Sequence, residues 1–235
     1  MAKNTNKLIK AVVNIVCQIK EVFYFNSQIN FLEKNKKFSN FIKKSHKIWG
    51  KIRKRRKIME NLKKINTTLV LIFDDKNKVL LAQKKRGFAQ GTFNGIGGKQ
   101  DPGESIEQAM IRETQEEIGV TPIDYKQVGL IKFDVWYKGE RSDLNLNIFT
   151  CTKFEGKIVE TEEMIPQWFE TNKIPFDKML PDDVMWFPIV LKGGYVIGSS
   201  KLEKDLKTCT NDFHEATKSQ LIEYINSVYG CELTK

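Results

Sequence analysis

Between residues 98 and 120 the chain reads GKQDPGESIEQAMIRETQEEIGV, with charged and glycine residues at spacings that chemistry can use. Gly98 is followed after five residues by Glu104, and after seven more by Arg112-Glu113-x-x-Glu116-Glu117-x-Gly119-Val120. On a helix, Glu113, Glu116 and Glu117 stand at i, i+3 and i+4 and share a face one turn deep. Three carboxylates so close repel one another unless a cation lies between them. Oxygen-only ligands suit a hard ion, Mg²⁺ or Mn²⁺, of the kind that arrives with substrate phosphates. Arg112 is placed to orient or partly neutralise the glutamates, Glu116 first. The pair Gly97-Gly98 lets backbone approach a phosphate chain, or lets a strand turn into a loop. A solvated acidic helix face is the usual fate of a charge run. It would account for the glutamates but not for the glycine and arginine that flank them.

These residues need a helix to carry them, and the pattern predicts one over residues 105–118. It is entered through Asp101-Pro102-Gly103 and closed by Gly119. Ile106, Ala109, Met110, Thr114 and Ile118 recur at three- and four-residue steps and predict its buried face. Short apolar runs predict strands over 67–73 and 79–83, joined by the turn Asp74-Asp75-Lys76-Asn77. Further strands are expected over 127–137, 144–154 and 163–169. Residues 182–191 read as a helix, with Pro181 just before it and Pro188 limiting or kinking it. Residues 193–200 are glycine-rich and strand-like. Residues 216–229 read as a short helix that packs on the domain through Leu221, Ile222, Ile225 and Val228.

The spaced residues match the Nudix box at every charged and glycine position, with Thr114 where an aliphatic residue is usual. From about residue 67 to about residue 191 the chain resembles the eukaryotic MutT-type Nudix hydrolases, which act on oxidised purine nucleoside triphosphates (8-oxo-dGTP and 2-hydroxy-dATP). The resemblance runs through TLVLIF (68–73), KKRGFAQGTFNGIGGK (84–99), VGLIKFD (128–134), EEMIPQWF (162–169) and IPFDKMLPDDVMWFP (174–188). It implies an α/β fold, the Nudix α/β/α sandwich with a mixed β-sheet between helices. The expected organisation is a basic helical N-terminal extension (1–64), the hydrolase domain (65–200) and a C-terminal extension with a short helix (201–235).

The resemblance also implies roles. Glu113, Glu116 and Glu117 would bind the metal, and Glu163 would add a carboxylate from a separate loop, as ligand or as the base that activates water. With Arg112, the residues Glu116, Glu117 and Glu163 form the expected catalytic set. Taken alone, Glu163 reads as a surface glutamate beside Glu162. Asp182 and Asp183 would meet the purine's hydrogen-bonding edge, one protonated and one ionised; Pro-Asp-Asp is equally a favourable helix start. Asn94 would offer the base a donor and an acceptor, although asparagine is common in turns. Lys84 would reach the base end or the phosphates. Thr68, Phe88, Phe133, Met179 and Trp186 would wall the pocket, and the same apolar residues suit a plain core.

One departure matters. Relatives with this motif carry tryptophan before Pro-Asp-Asp, and here Leu180 stands there. Leucine keeps the pocket apolar but lacks an aromatic face worth about 1–3 kcal/mol of base stacking. Phe93 likewise stands where tryptophan is common, and Leu144 aligns only loosely. The implied reaction is water attack on the phosphate chain of an oxidised purine nucleoside triphosphate, leaving monophosphate and pyrophosphate and so sanitising the nucleotide pool. Leu180 keeps another nucleotide open: a methylated purine nucleotide, an unmodified dNTP or a capped RNA. A non-catalytic nucleotide- or RNA-binding module is a separate alternative, but it has no need of Glu113, Glu116 and Glu117 together.

The 235 residues are 40% hydrophobic, enough for one domain with extensions. The net charge of +10 is unevenly placed. Residues 1–64 hold 18 Lys and Arg against 3 acidic residues, and the rest hold 21 against 26. The catalytic region is therefore mildly acidic, and no stable nucleic-acid complex is expected of it. Cys17, Cys151, Cys209 and Cys231 are scattered without a metal pattern, which favours reduced thiols and a cytoplasmic enzyme. Nothing is apolar over the roughly 18 residues a membrane span needs. A monomer is expected. The N-terminal extension has four open readings: a mitochondrial transit segment, a membrane-surface helix built on the apolar pattern from Leu8 to Phe23, a nuclear-localisation or nucleic-acid patch at residues 51–57, or a segment upstream of a working start at Met59.

Overall fold

The computed structural model describes residues 63–137 and 139–230. The apolar pattern from Leu8 to Phe23, the basic run 51–57, Met59, Cys17 and Cys231 lie outside them.

Strand β1 (Lys63–Phe73) turns through Asp74 into β2 (Lys78–Lys84). The Asp74 carboxylate accepts the Lys76 and Lys78 N–H groups at 2.9 and 2.8 Å, closing the turn. After the two-residue β3 (Phe93–Asn94) comes helix α1 (Ile106–Ile118). Ser105 caps its start, with Gln108 reaching back to close a capping box, and Gly119 ends it at φ 78°. The expected helix is thus present, with residue 105 as its cap.

Strands β4 (Val120–Tyr137) and β5 (Glu140–Gly156) form a long hairpin. They run further than the apolar pattern predicted, because bulges between Pro122 and Gly129 break the period without breaking the ladder. Then follow β6 (Met164–Glu170), a single 3₁₀ turn at Phe176–Lys178, α2 (Asp183–Leu191), β7 (Tyr195–Leu202), β8 (Cys209–Ala216) and α3 (Lys218–Tyr229).

The sheet order is β3-β2-β1-β5-β4-β7-β8, with β6 on β2. It is mixed: β1 runs parallel to β5 and β4 parallel to β7, while the other pairings are antiparallel. Strands β1 and β2 pair only near their turn. Below it, the loop after β3 takes the free edge of β1: Val70 and Ile96 exchange backbone hydrogen bonds, and the Thr68 N–H donates to Gly98 O at 2.8 Å. This contact carries Gly97 and Gly98 onto the sheet.

The two faces follow strand alternation. On one, Met110 and Ile118 of α1 pack against Val70, Ile72 and Phe149. On the other, Trp186, Phe187 and Val190 of α2 pack against Leu71, Ile131 and Val196. Full burial of each such side chain contributes about 1.5–3 kcal/mol. Helix α3 lies on the α1 face, since Lys132 approaches the Tyr224 ring at 5.5 Å while the adjacent Phe133 faces the α2 side. The result is the expected α/β/α sandwich. No helix among the described residues is long and apolar enough to cross a membrane.

Candidate active site

Arg112 lies at the hub of the charged residues. Its Nε and Nη2 donate to the two Glu104 oxygens at 2.7 and 3.0 Å. Its Nη1 donates to Glu113 and Glu116, each at 3.0 Å, and Nη2 also reaches Lys99 O at 2.9 Å. The contact with Glu116 expected of it is present, but Glu104 is its main partner. That bond, first among several, raises the guanidinium's pKa and holds it charged. Arg112 thus ties the start of α1 to the glycine loop.

The three box glutamates do not share one environment. Glu116 is exposed, Glu113 is mostly covered, and Glu117 is buried. Glu117 accepts the Gly97 N–H at 2.8 Å and lies 4.0 Å from Lys84 Nζ. Burial pushes its pKa up to about 7, against the pull of Lys84 and the Gly97 N–H; Glu113 and Glu163 add to the rise. Burial also raises Glu113, with Arg112 opposing. Both glycines are required by contact. A Cβ at Gly97, where φ is 146°, would stand 2.3 Å from Thr68 O, and one at Gly98 would stand 2.3 Å from the Glu113 carboxylate. Glu163 lies in the loop just before β6, ion-paired with Arg86.

A hard divalent cation fits this donor set in kind: the groups are all carboxylate oxygens. The Glu113 and Glu163 charges add to the rise at Glu117, and the Glu116 and Glu163 charges add to the rise at Glu113, which is what a shared cation would relieve. They are not drawn into a cage. Among the described residues no three acidic, His or Cys groups converge for a metal, because Arg112 holds Glu113 and Glu116 while Arg86 holds Glu163.

Glu113, Glu117, Gly97, Gly98, Lys84 and Glu163 line a cavity of about 400 Å³. Asn94, Thr68, Phe88, Phe133 and Leu180 line the same cavity. Asn94 Oδ1 accepts the adjacent Gly95 N–H at 2.9 Å, so the turn role and the cavity position coexist. The Thr68 hydroxyl is buried without a hydrogen-bond partner. Leu69, Val135, Leu144, Leu146 and Leu202 complete the apolar wall. Sequence reasoning left these unassigned; the alternation Phe133/Val135 and Leu144/Leu146 was the available signal.

Four expected site residues stand behind the cavity wall. Met179 and Trp186 belong to the core beneath it. Asp183 is buried, and its carboxylate accepts the Leu180 N–H and the Trp186 Nε1–H, both at 3.0 Å. Asp182 is also buried, and neither of its carboxylate oxygens has a partner. Nor does Asp182 cap α2 with its side chain. Burial pushes Asp182 up to about 6, and burial together with the Asp182 charge raises Asp183 well above the usual carboxylate range.

Residues 63–188 match the model of the NUDIX domain. Over 136 residues, 58% of this chain, the sequence is 44% identical to an oxidized purine nucleoside triphosphate hydrolase of Danio rerio and 40% identical to one of Mus musculus, covering 85% of each. A crystal structure of a mutator MutT protein from Bacillus halodurans superimposes with a TM-score of 0.56 at 25% identity, covering 64% of this chain and 97% of that one.

Proposed function

The chain belongs to the NUDIX family and is a NUDIX hydrolase; from that premise we propose that its substrates are oxidised purine nucleoside triphosphates, which it cleaves to monophosphate and pyrophosphate. One observation carries the reading: a single cavity lined by both phosphate-type and apolar groups. Its volume of about 400 Å³ suits a nucleotide. Its lining joins carboxylate, glycine and lysine groups to an apolar wall, with the buried, unpartnered Thr68 hydroxyl beside the glycine loop.

Glu113, Glu116, Glu117 and Glu163 would hold a divalent metal, Mg²⁺ in this proposal with Mn²⁺ as a substitute. Such an ion neutralises phosphate charge and makes water easier to deprotonate. Lys84, beside Glu117, adds positive charge. Glu163, in the loop before β6 and ion-paired with Arg86, would take the proton from the attacking water. The products require cleavage of the anhydride between the α- and β-phosphates. Arg112 keeps α1 and the glycine loop in register while charge moves. Phe88, Phe133 and Leu180 exclude water, and Thr68 and Asn94 offer polar groups to the base edge; Asp182, buried and unpartnered behind that wall, would meet the base once nucleotide displaces Leu180. A monomer is the proposed state. The proposed compartment is the cytoplasm, with any mitochondrial or nuclear fraction dependent on the basic residues before position 64.

Pyrophosphate release with Mg²⁺ tests the reading across 8-oxo-dGTP, 2-hydroxy-dATP, O6-methyl-dGTP, dGTP, dATP and a cap analogue. Strong preference for an oxidised purine is the expected result. Equal rates on plain nucleotides, or turnover of the cap alone, would overturn the substrate assignment and leave the hydrolase. A companion variant, Leu180→Trp, adds a stacking face to the apolar wall and is expected to lower KM for the oxidised purine about tenfold. An unchanged KM would place the base elsewhere.

A further inference from the structure

Behind the cavity, β5 buries two asparagines. Asn145 and Asn147 are 7% and 1% exposed and share a face with the apolar Phe149 and Cys151. Buried amides cost stability unless their hydrogen bonds are made, and here they are made in series. Tyr229, the last residue of α3, accepts from Asn147 Nδ2 through its hydroxyl at 2.8 Å. The same amide reaches Thr67 O at 3.1 Å and Asn145 O at 3.3 Å, while Gln127 Nε2 donates to Asn147 Oδ1 at 3.0 Å. Asn145 Nδ2 donates to Asn66 Oδ1 at 2.9 Å, and Asn66 Nδ2 donates to Gln100 Oε1 at 2.8 Å. Gln100 also ties back through its N–H to Asn66 O at 3.0 Å and through Nε2 to Glu104 O. Glu104 is the main partner of Arg112, which holds Glu113 and Glu116.

We propose that this amide series, from Tyr229 through Asn147, Asn145, Asn66 and Gln100 to Glu104 and Arg112, sets the position of the metal-binding carboxylates, so that α3 is a positioning element of the active site. The proposal rests on the metal assignment made above. The loop between Gly98 and Glu104 is held on one side by Arg112 and on the other by β1, through the Thr67–Lys99 bridge and, nearest to Glu104, the two bonds between Asn66 and Gln100. Loss of an outer contact therefore leaves Arg112 and Glu104 free to shift together against the fixed Glu117 and Gly97. Neither Tyr229 nor these amides line the cavity, so Tyr229 and Gln100 are positioning residues, acting through Arg112.

The test is Mn²⁺ binding by calorimetry on the full chain without nucleotide, for wild type, Tyr229→Phe, Gln100→Ala and the double variant, with Tm recorded for each. Tyr229→Phe removes one hydroxyl and keeps the ring. Gln100 lies in a loop, so Gln100→Ala retains the fold even where the first variant does not. Gln100→Ala is expected to raise the Mn²⁺ dissociation constant about tenfold, and Tyr229→Phe about threefold. The double variant should bind no worse than Gln100→Ala, since both break one series. In turnover, kcat should fall with KM for the nucleotide unchanged. Mn²⁺ affinities equal to wild type in both single variants would overturn the proposal even if Tm falls. So would a double variant whose loss is the product of the two. Wild type that binds Mn²⁺ but leaves oxidised purines untouched would overturn the substrate assignment alone.

Discussion

Glu117→Gln is expected to reduce kcat by about 10³-fold or more while raising the stability of the metal-free protein. The two effects have one source. Glu117 is 4% exposed, and its charge is met by one backbone N–H and by a lysine at 4.0 Å. A carboxylate kept so short of partners is poised for a cation, and the amide that replaces it cannot supply the charge. Glutamine still accepts from Gly97, so the glycine loop should keep its place. The folded pKa of about 7 lies above the ordinary 4.5. The folded protein therefore binds the proton more tightly than the unfolded chain does. Glu117 thus contributes metal-free stability that is fully present below about pH 4.5 and is lost as pH rises through 7, by about 3 kcal/mol in all. Glu117→Gln should flatten that slope. Urea melts from pH 5 to 8 without metal, beside turnover with Mg²⁺, check both. A variant that retains wild-type kcat would remove Glu117 from the metal site.

The two adjacent aspartates are expected to respond in opposite ways. Asp183→Ala should cost about 3 kcal/mol or more of stability, because the Leu180 N–H and Trp186 Nε1–H lose their acceptor inside the core. Asp182→Asn should leave stability at neutral pH unchanged or raised, since neither Asp182 oxygen is bonded to the protein. Its effect should fall on kcat/KM for the oxidised purine, reduced about 10²-fold, the worth of a charge-assisted hydrogen bond to the base. With a folded pKa of about 6 against an ordinary 3.8, Asp182 makes the wild type less stable as pH rises through 6, and asparagine should remove this. Denaturant midpoints and steady-state kinetics separate the cases. A large stability loss in Asp182→Asn with unchanged kcat/KM would make Asp182 a core residue and nothing more.

Sequence reasoning reached the parts of the site where residue type and spacing are tightly coupled. Gly98, Glu104, Arg112 and the three glutamates could be placed because each position answers to a close contact: a Cβ at Gly98 collides with Glu113, and Arg112 reaches two loops at once. Which glutamate would be buried was not legible. Glu116 and Glu117 are neighbours of the same type, and the packing of α1 against Gly97 alone separates them. The division of labour between Asp182 and Asp183 was hidden for the same reason. Met179 and Trp186 carry the right apolar character, but a pattern cannot distinguish a cavity wall from the layer beneath it. Leu144 and Leu146 carry only a strand alternation that does not say what they face, and Leu202 reaches the cavity from a distant strand with no local signal to mark it. Strand β8, CTNDFHEA, also escaped notice: it is the sheet's edge, its side chains are mostly polar, and only pairing with β7 makes it a strand.

The parallel pairing of β1 with β5 has a consequence for how the chain is made. Thr67 to Ile72 can find their β5 partners only after Leu146 to Cys151 have been synthesised, and the Asn66–Asn145 bond spans 79 residues. At 5–20 residues per second, the apolar run Leu69-Val70-Leu71-Ile72 must wait several seconds on the ribosome with one edge unfilled. Such long-range closure slows folding. It also makes the interval between translation of β1 and of β5 the time when this enzyme most needs a chaperone.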